Sequence, residues 1–159
     1  MLDATTRLRR RLAGRLHSNE TVSAAVSVHR PGTTAAALGG GAGGAVAAVS
    51  GTGVSFHDAP DVSGDRSVLD AGPYLYLVLT SHRVLVLRRS VFGRAKDVVL
   101  DASLDEVQAI EMKPNSSRIE LRLSGDRTYA FETPKAPKFL PEVYRRLPAL
   151  LAEARKRDQ

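Results

Sequence analysis

The four histidines are the first candidates for chemistry, because imidazole can act as a general base or a metal ligand near neutral pH. They are His17, His29, His57 and His82. Their separations match no short metal-ligand spacing and place no two of them four residues apart on one helix face. The sequence also has no cysteine and no G-x-S-x-G nucleophile motif. We therefore expect no catalytic residue, no metal site and no cofactor, and the sequence favours a non-enzymatic protein.

A glycine motif raises the question of nucleotide binding. Gly39, Gly41 and Gly44 match the G-x-G-x-x-G fingerprint of dinucleotide-binding loops. That fingerprint needs a buried strand directly before it and an acidic ribose ligand about 20 residues later. Residues 33–37 make a poor strand, and no lysine follows the glycines as a Walker A loop requires. The motif therefore does not predict a nucleotide site.

The basic side chains offer a different chemistry, the binding of anions. Residues 1–30 hold six arginines and two acids, residues 31–57 hold no charged side chain, and the remaining 102 residues hold 17 basic and 15 acidic side chains. Attraction to an anionic surface is therefore expected mainly at the N-terminus. The candidate anion- or lipid-binding residues are Arg7, Arg9, Arg10, Arg11 and Arg15, with a second group of Arg88, Arg89, Arg94 and Lys96. For the second group, the alternative is the solvated end of a strand.

The N-terminal arginines are expected on an amphipathic helix. Leu8, Leu12 and Leu16 recur every fourth residue, which predicts a helix over about residues 3–17 with a leucine stripe opposite an arginine face. Three positions remain open for it: docked on the domain by its leucines, at the surface of an anionic membrane, or as an arm on nucleic acid. Residues 16–28 are too polar for a secretory signal. We expect a cytoplasmic protein, with peripheral attachment to the inner face of the membrane as the more specific hypothesis.

An uncharged segment of small residues follows at positions 31–56. It is long enough to span a bilayer but has few large apolar groups. Gly39 and Gly43 have the four-residue spacing of close helix contacts in membranes. The sequence leaves three interpretations open: a flexible or loosely helical insert, a membrane-inserting or self-associating helix, or a packed part of the core.

The rest of the chain predicts short strands and one helix. Ile119, Leu121 and Leu123 alternate with polar residues. After a turn, Tyr129 and Phe131 continue the alternation on the next strand, which indicates a half-buried antiparallel hairpin. The other predicted strands cover residues 21–29, 74–79, 83–89, 97–101 and 107–112.

The last segment, residues 136–157, changes to a helical period. One face of this helix carries Phe139, Val143, Leu147, Leu150, Leu151 and Ala154. Pro148 removes a backbone donor, so we expect a kink near residues 144–147.

This element order predicts a mainly β fold with α. We expect a curved antiparallel sheet or partly open barrel, capped by the C-terminal amphipathic helix, plus the N-terminal basic helix. The chain is divided into a basic helix at 1–20, a first strand at 21–29, a Gly/Ala-rich insert and polar loop at 30–72, and a core with the C-terminal helix at 73–159.

Two motifs in the core resemble those of a known family. Leu79, Thr80 and Arg83 form a leucine-threonine-x-x-arginine hairpin within YLYLVLTSHRVLVLRR, and residues 104–107 read leucine-aspartate-glutamate-valine. With these motifs, residues 74–157 resemble the bacterial pleckstrin-homology-like (PH-like) domains. The resemblance implies a non-catalytic binding or assembly module, in many members associated with membranes. In lipid-binding members, basic residues near the first hairpin hold phosphorylated head groups, whereas this chain has its uncharged insert at the first connection.

We therefore expect a non-catalytic binding or scaffold module that acts at a membrane surface or on a protein partner. The alternative is a nucleic-acid-associated protein that uses the arginine-rich N-terminus. The aromatic residues Tyr74, Tyr76, Tyr129 and Phe131 alternate as core residues do, which leaves no evident platform for stacking bases. This favours the first hypothesis over the alternative. Self-association through the Gly/Ala segment is a further prediction about partners.

Overall fold

The fold is mainly β, as the sequence predicted. The computed structural model describes residues 4–31, 72–90, 92–113, 115–134, 138 and 140–158. Within them, two helices flank seven strands: α1 (Ala4–Leu12), β1 (Val22–His29), β2 (Tyr74–Thr80), β3 (Arg83–Arg89), β4 (Ala95–Ser103), β5 (Val107–Met112), β6 (Arg118–Leu123), β7 (Arg127–Glu132) and α2 (Glu142–Asp158). The predictions for residues 32–71, including the glycine motifs and self-association, lie outside the described residues, as does Phe139.

The seven strands form one antiparallel sheet in the order β4-β3-β2-β1-β7-β6-β5. Because β4 and β5 lie at its two edges, the sheet is open and does not close into a barrel. β1 pairs with β2 along its length, but its ladder with β7 contains only the pair His29↔Glu132. An open seven-stranded sheet with a C-terminal helix is compatible with a PH-like fold.

The central strands are buried on both faces. On β2, Leu75 and Leu77 belong to the main core, which α2 completes, whereas Tyr76 and Val78 belong to a second cluster under α1. Burial on both faces explains why β2 and β3 are continuous apolar runs and do not alternate. The two helices therefore cover opposite faces of β1–β3.

Helix α1 docks on the sheet through its leucines. Leu8 and Leu12 are buried against the second cluster, and Leu16 packs at its margin. Of the three positions left open by the sequence, the structure shows the docked one. The predicted extent of residues 3–17 was wrong, because the chain leaves the helix in a turn where the N–H groups of Arg15 and Leu16 both donate to Leu12 O, at 2.7 and 3.0 Å.

We expect Leu12→Ala to lower the free energy of unfolding by about 3 kcal/mol, because it leaves a cavity between α1 and the sheet. Chemical denaturation of the full chain measures this loss. The neighbouring exposed Arg11 supplies the matched control, and Arg11→Ala is expected to change the free energy little. Equal effects of the two substitutions would contradict the docking of α1.

Two further boundaries differ from the prediction. Strand β4 extends beyond residues 97–101 at both ends, since its pairing with β3 runs from Arg83↔Ser103 through two register shifts near Leu87 to Arg89↔Ala95. The C-terminal helix begins at Glu142, six residues later than predicted. Pro141 restricts Leu140 to non-helical backbone, so the helix cannot extend back through that position. The helix is continuous through Pro148, and the kink stays a prediction.

The hairpin of β6 and β7 confirms the clearest strand prediction. Leu121 pairs with Tyr129, and both side chains are buried. Gly125 and Asp126 in the turn have φ angles of 74° and 56°. Glycine and aspartate tolerate this left-handed region better than most residues, which explains their place in the turn.

Candidate functional site

The leucine-threonine-x-x-arginine motif builds a hydrogen-bonded turn between β2 and β3. The Thr80 hydroxyl accepts hydrogen bonds from the N–H groups of His82 and Arg83, at 3.2 and 3.0 Å. It donates to Oε1 of Glu20 at 2.6 Å. Thr80 is completely buried. The motif residues therefore shape the turn and connect it to the segment before β1.

Glu20 and Arg83 form a buried ion pair across this turn. Arg83 Nε lies 2.8 Å from Glu20 Oε1, and Nη2 lies 3.0 Å from Oε2. The same guanidinium contacts Asp101 Oδ2 at 2.5 Å through Nη1. The Glu20 side chain has no exposed surface, and that of Arg83 is 17% exposed. The pair therefore holds the N-terminal segment, the β2–β3 turn and β4 together.

The pKa of Glu20 is strongly perturbed by this environment. Burial acts to raise it, but hydrogen bonds from Arg83, Thr80 and the His17 N–H, together with the charge of Arg83, lower it to about 2. The hydrogen bond to Glu20 is the main cause that raises the pKa of Arg83. A perturbed pKa often marks a functional site. Here both carboxylate oxygens are occupied by protein donors and closed to solvent, so the role of the pair is structural.

The leucine-aspartate-glutamate-valine motif forms the turn between β4 and β5. Leu104 and Val107 are buried in the main core. Glu106 Oε2 accepts hydrogen bonds from the N–H and the hydroxyl of Ser103, at 3.0 and 3.2 Å, and the backbone one is the main cause that lowers the pKa of Glu106. Arg127 Nη2 lies 3.3 Å from Oε1. Both motifs that carry the resemblance therefore hold turns of the sheet.

The five N-terminal arginines separate into two kinds. Arg7, Arg10 and Arg11 lie exposed on α1. Arg9 donates from Nε and Nη2 to Val22 O at 3.0 and 2.8 Å. Arg15 donates from Nη1 to Lys96 O at 2.7 Å, which joins the end of α1 to the start of β4. The structure thus brings one member of the first basic group beside a member of the second.

The second basic group lies at one end of the sheet, which we call the basic end and define by Arg88, Arg89, Arg94 and Lys96. Arg88 Nη2 is 3.8 Å from Asp97 Oδ2. Arg89 Nη1 donates to Ser27 Oγ at 3.1 Å, and its guanidinium lies 5.4 Å from the Tyr74 ring centre and 5.6 Å from that of Tyr76. Arg94 and Lys96 are exposed. Arg94 and Lys96 are therefore the exposed cations of the group without an ion pair in the described residues, Arg88 is 43% exposed beside Asp97, and Arg89 is held in place.

The β3–β4 turn at the basic end is firmly built. Ser90 N–H donates to Arg94 O at 2.9 Å, and Gly93 N–H donates to Ser90 O at 2.9 Å. The Tyr76 hydroxyl donates to Gly93 O at 2.9 Å. Gly93 has a φ of 75°, where a glycine is favoured. These hydrogen bonds join Ser90 to Gly93 and Arg94 and hold Gly93 against Tyr76 of the sheet.

Phe92 lies at the tip of this turn and is 92% exposed. Among the described residues, the only other exposed large apolar side chain is Val98, at 39%. Sequence reasoning missed Phe92, although an aromatic residue next to a turn glycine and between basic residues was a readable signal. Phe92 therefore places an apolar ring in water, with Arg94 following it in the same turn and Arg89 preceding it on β3.

Two further basic residues, Arg30 and Arg118, belong to the same end of the sheet and were also missed. His29 pairs with Tyr74 and Glu132, and Glu132 pairs with Arg118 on the next strand. Arg30 N–H donates to Pro73 O at 3.0 Å, so the chain enters and leaves residues 32–71 here. Burial lowers the pKa of His29, and the charge of Arg89 lowers it further against the opposite effect of Glu132. The cations at this end therefore come from β3, its turn to β4, β4 itself, β6 and the residue after β1.

Within the described ranges, no three histidine or acidic side chains are placed to hold a metal ion. No helix in the same part of the chain is long and apolar enough to cross a membrane. No protein-family model matches the sequence, and no curated protein matches it. The fold and the basic end thus define the class: a mainly β protein with an open antiparallel sheet, a C-terminal helix and a cationic surface at one end.

Proposed function

We propose that the protein is a bacterial PH-like module without catalytic activity that attaches peripherally to an anionic membrane, at its cytoplasmic face, through the basic end. The observation that carries this proposal is the exposure of Phe92 on a hydrogen-bonded turn beside Arg94 and Lys96. The PH-like motifs support the fold part of the proposal, and the surface chemistry supports the membrane part.

The side chains of this turn supply favourable energy for attachment to an anionic membrane. A phenylalanine side chain that leaves water contributes about 2 kcal/mol, and each cation near an anionic membrane contributes about 1 kcal/mol. Phe92, Arg94 and Lys96 lie within five residues of one turn, so these contributions act together. Arg15 adds a further cation beside Lys96.

Nucleic acid is a weaker match for this surface. Single-stranded binding uses exposed aromatic faces on which successive bases stack. At the basic end, the rings of Tyr74 and Tyr76 lie against the Arg89 guanidinium, which leaves Phe92 as the exposed ring of the turn. One aromatic residue does not make a platform for successive bases.

The test is co-sedimentation with vesicles that contain phosphatidylserine, compared with neutral vesicles and with DNA. We expect salt-sensitive binding to the anionic vesicles, roughly 30-fold weaker in Phe92→Ser because the inserted ring and its contribution of about 2 kcal/mol are lost. The double variant Arg94→Gln with Lys96→Gln is expected to bind roughly 30-fold more weakly, since it removes two cations.

The double variant Arg146→Gln with Lys156→Gln is the matched control, because it removes two exposed cations from α2. If the control and the test variant lose the same vesicle affinity, net charge alone explains the binding, and the assignment of the basic end as the binding surface is contradicted. DNA binding that exceeds vesicle binding and does not depend on Phe92 would support the nucleic-acid alternative. Absence of binding to anionic vesicles at low salt would contradict membrane attachment, and binding to a protein partner would then be the remaining hypothesis.

A further inference from the structure

A cleft of about 680 Å³ lies at the opposite end of β1 from the basic end. Its walls come from α1 and the turn after it, from the first residues of β1, and from the C-terminal half of α2. The seven-residue separation of Val22 and His29 along β1 corresponds to about 23 Å, although Arg15, which reaches Lys96, is the neighbour of the cleft residue Leu16. Its volume is in the range of small-molecule sites.

The cleft exists because β1 lacks a strand neighbour on one side at this end. Its ladder with β7 contains only His29↔Glu132, so residues before His29 meet side chains of α1 where another strand would otherwise pair. Thr5 Oγ1 lies 3.3 Å from Ala25 N, and Arg9 binds Val22 O. The small side chains of Ala13 and Ala154 face the space between the two helices.

The lining combines apolar side chains with two cations and with the hydroxyl groups of Thr21 and Ser23. Leu16, Val22 and Leu150 supply the larger apolar groups. Arg9 is held by its two hydrogen bonds to Val22 O, and its Nη1 makes no hydrogen bond within the described residues. Arg157 is exposed and makes no ion pair in that part of the chain. The cleft therefore presents one fixed and one adjustable guanidinium above apolar side chains.

The charge of the lining matches a single negative charge. Glu20 contributes no free charge, because Arg83 neutralises it in the buried pair. Glu153 offsets one of the two cations, Arg9 and Arg157, which leaves an excess of one positive charge. The planar fork of a guanidinium fits a carboxylate or a phosphate. A dianionic phosphate would carry one negative charge more than the lining neutralises, so a carboxylate is the better match by charge.

We propose that this cleft binds a fatty acid of medium chain length, with its carboxylate at Arg9 and Arg157 and its chain against Leu16, Val22 and Leu150. The polar head is recognised by charge-assisted hydrogen bonds, and the chain contributes by burial of apolar surface. The site is independent of the membrane attachment proposed for the basic end.

The experiment is calorimetric titration of the full chain with decanoate below its micelle threshold, with decanol and decyl phosphate as comparison ligands. We expect one saturable site for decanoate and weaker binding of decanol. Arg157→Gln is expected to weaken decanoate binding about tenfold, as the loss of a charged hydrogen bond does. Lys156→Gln, which removes the adjacent exposed cation outside the cleft, should leave the affinity near wild type.

A second pair of variants tests the space itself. Ala13→Phe fills the cleft from an exposed position and should abolish decanoate binding, whereas Ala152→Phe on the outer face of α2 should not. Thermal unfolding of each variant shows that it is folded. Absence of saturable binding, equal effects within either pair of variants, or tighter binding of decyl phosphate than of decanoate would overturn the proposal.

Discussion

Glu20→Gln is expected to lower the free energy of unfolding by about 3 kcal/mol, because removal of one partner from a buried ion pair leaves the other charge poorly compensated. The glutamine keeps the shape of the side chain but turns an amide N–H₂ group toward donors. Arg83 and Thr80, which both donate to the carboxylate, would lose an acceptor. Denaturant unfolding at neutral pH measures the loss.

The same pair predicts how stability depends on pH. The pKa of Glu20 is about 2 in the folded protein and near 4.5 in the unfolded chain. Since the folded value is the lower one, the stabilisation is complete above pH 4.5 and is lost as the pH falls toward 2. The shift corresponds to about 3 kcal/mol. In Glu20→Gln this part of the pH dependence should be absent.

Glu106 supplies the matched control for both measurements. It is also a glutamate with an arginine neighbour and a lowered pKa, but its side chain is 44% exposed. Solvent screens such a pair, so Glu106→Gln should cost far less than Glu20→Gln. If the two variants lose stability equally, the special role of the buried pair is wrong.

Much of the fold could be predicted because each element has its own local period. The alternation over residues 119–123 and the apolar runs of β2 and β3 depend only on neighbours in sequence, and their strands were found with the correct order. The bounds of β3 and β5 matched the prediction, whereas α1 and α2 differed at an end. Helix ends depend on single turns and prolines, which periodicity does not describe.

The contacts that connect distant segments could not be predicted in this way. The sequence shows Glu20 only as one polar residue within 16–28, although it is the buried partner of Arg83, 63 positions away. Tyr144 donates its hydroxyl to Ser27 O at 2.7 Å, and burial raises its pKa to about 12. Nothing in the local pattern shows such partners, because their pairing depends on how the sheet folds.

The candidate site was also predictable only in part from the sequence. The basic residues of both groups were identifiable by composition, but their accessibility was not. Arg89 is engaged by Ser27 and two tyrosine rings, whereas Arg94 beside it is exposed. Phe92 is exposed next to Gly93, whose carbonyl accepts a hydrogen bond from the Tyr76 hydroxyl. The fold therefore determines which of the basic side chains are exposed, and the sequence pattern alone does not distinguish them.

Leu147→Asp is expected to have the largest effect, a loss of at least about 4 kcal/mol in the free energy of unfolding. Leu147 is 1% exposed within the main core, where α2 packs against β5, β1 and β2. Aspartate would remove that packing and place a carboxyl group among apolar side chains. Since the total stability of a domain this size is commonly 5–15 kcal/mol, the variant can lose the folded state altogether.

Leu147→Ala and Arg146→Asp keep this prediction measurable. The alanine variant leaves a cavity without a charge and should cost about 3 kcal/mol, within the range of denaturant titration. Arg146 precedes Leu147 on the same helix but is exposed, so Arg146→Asp introduces the same carboxylate in water and should change the free energy by less than about 0.5 kcal/mol. If Arg146→Asp and Leu147→Asp destabilise alike, α2 does not cover the sheet as described. A large loss confined to the Leu147 variants would show that α2 covers the main core with its buried face. The exposed residues at the C-terminal end of the same helix then lie at the cleft beside α1.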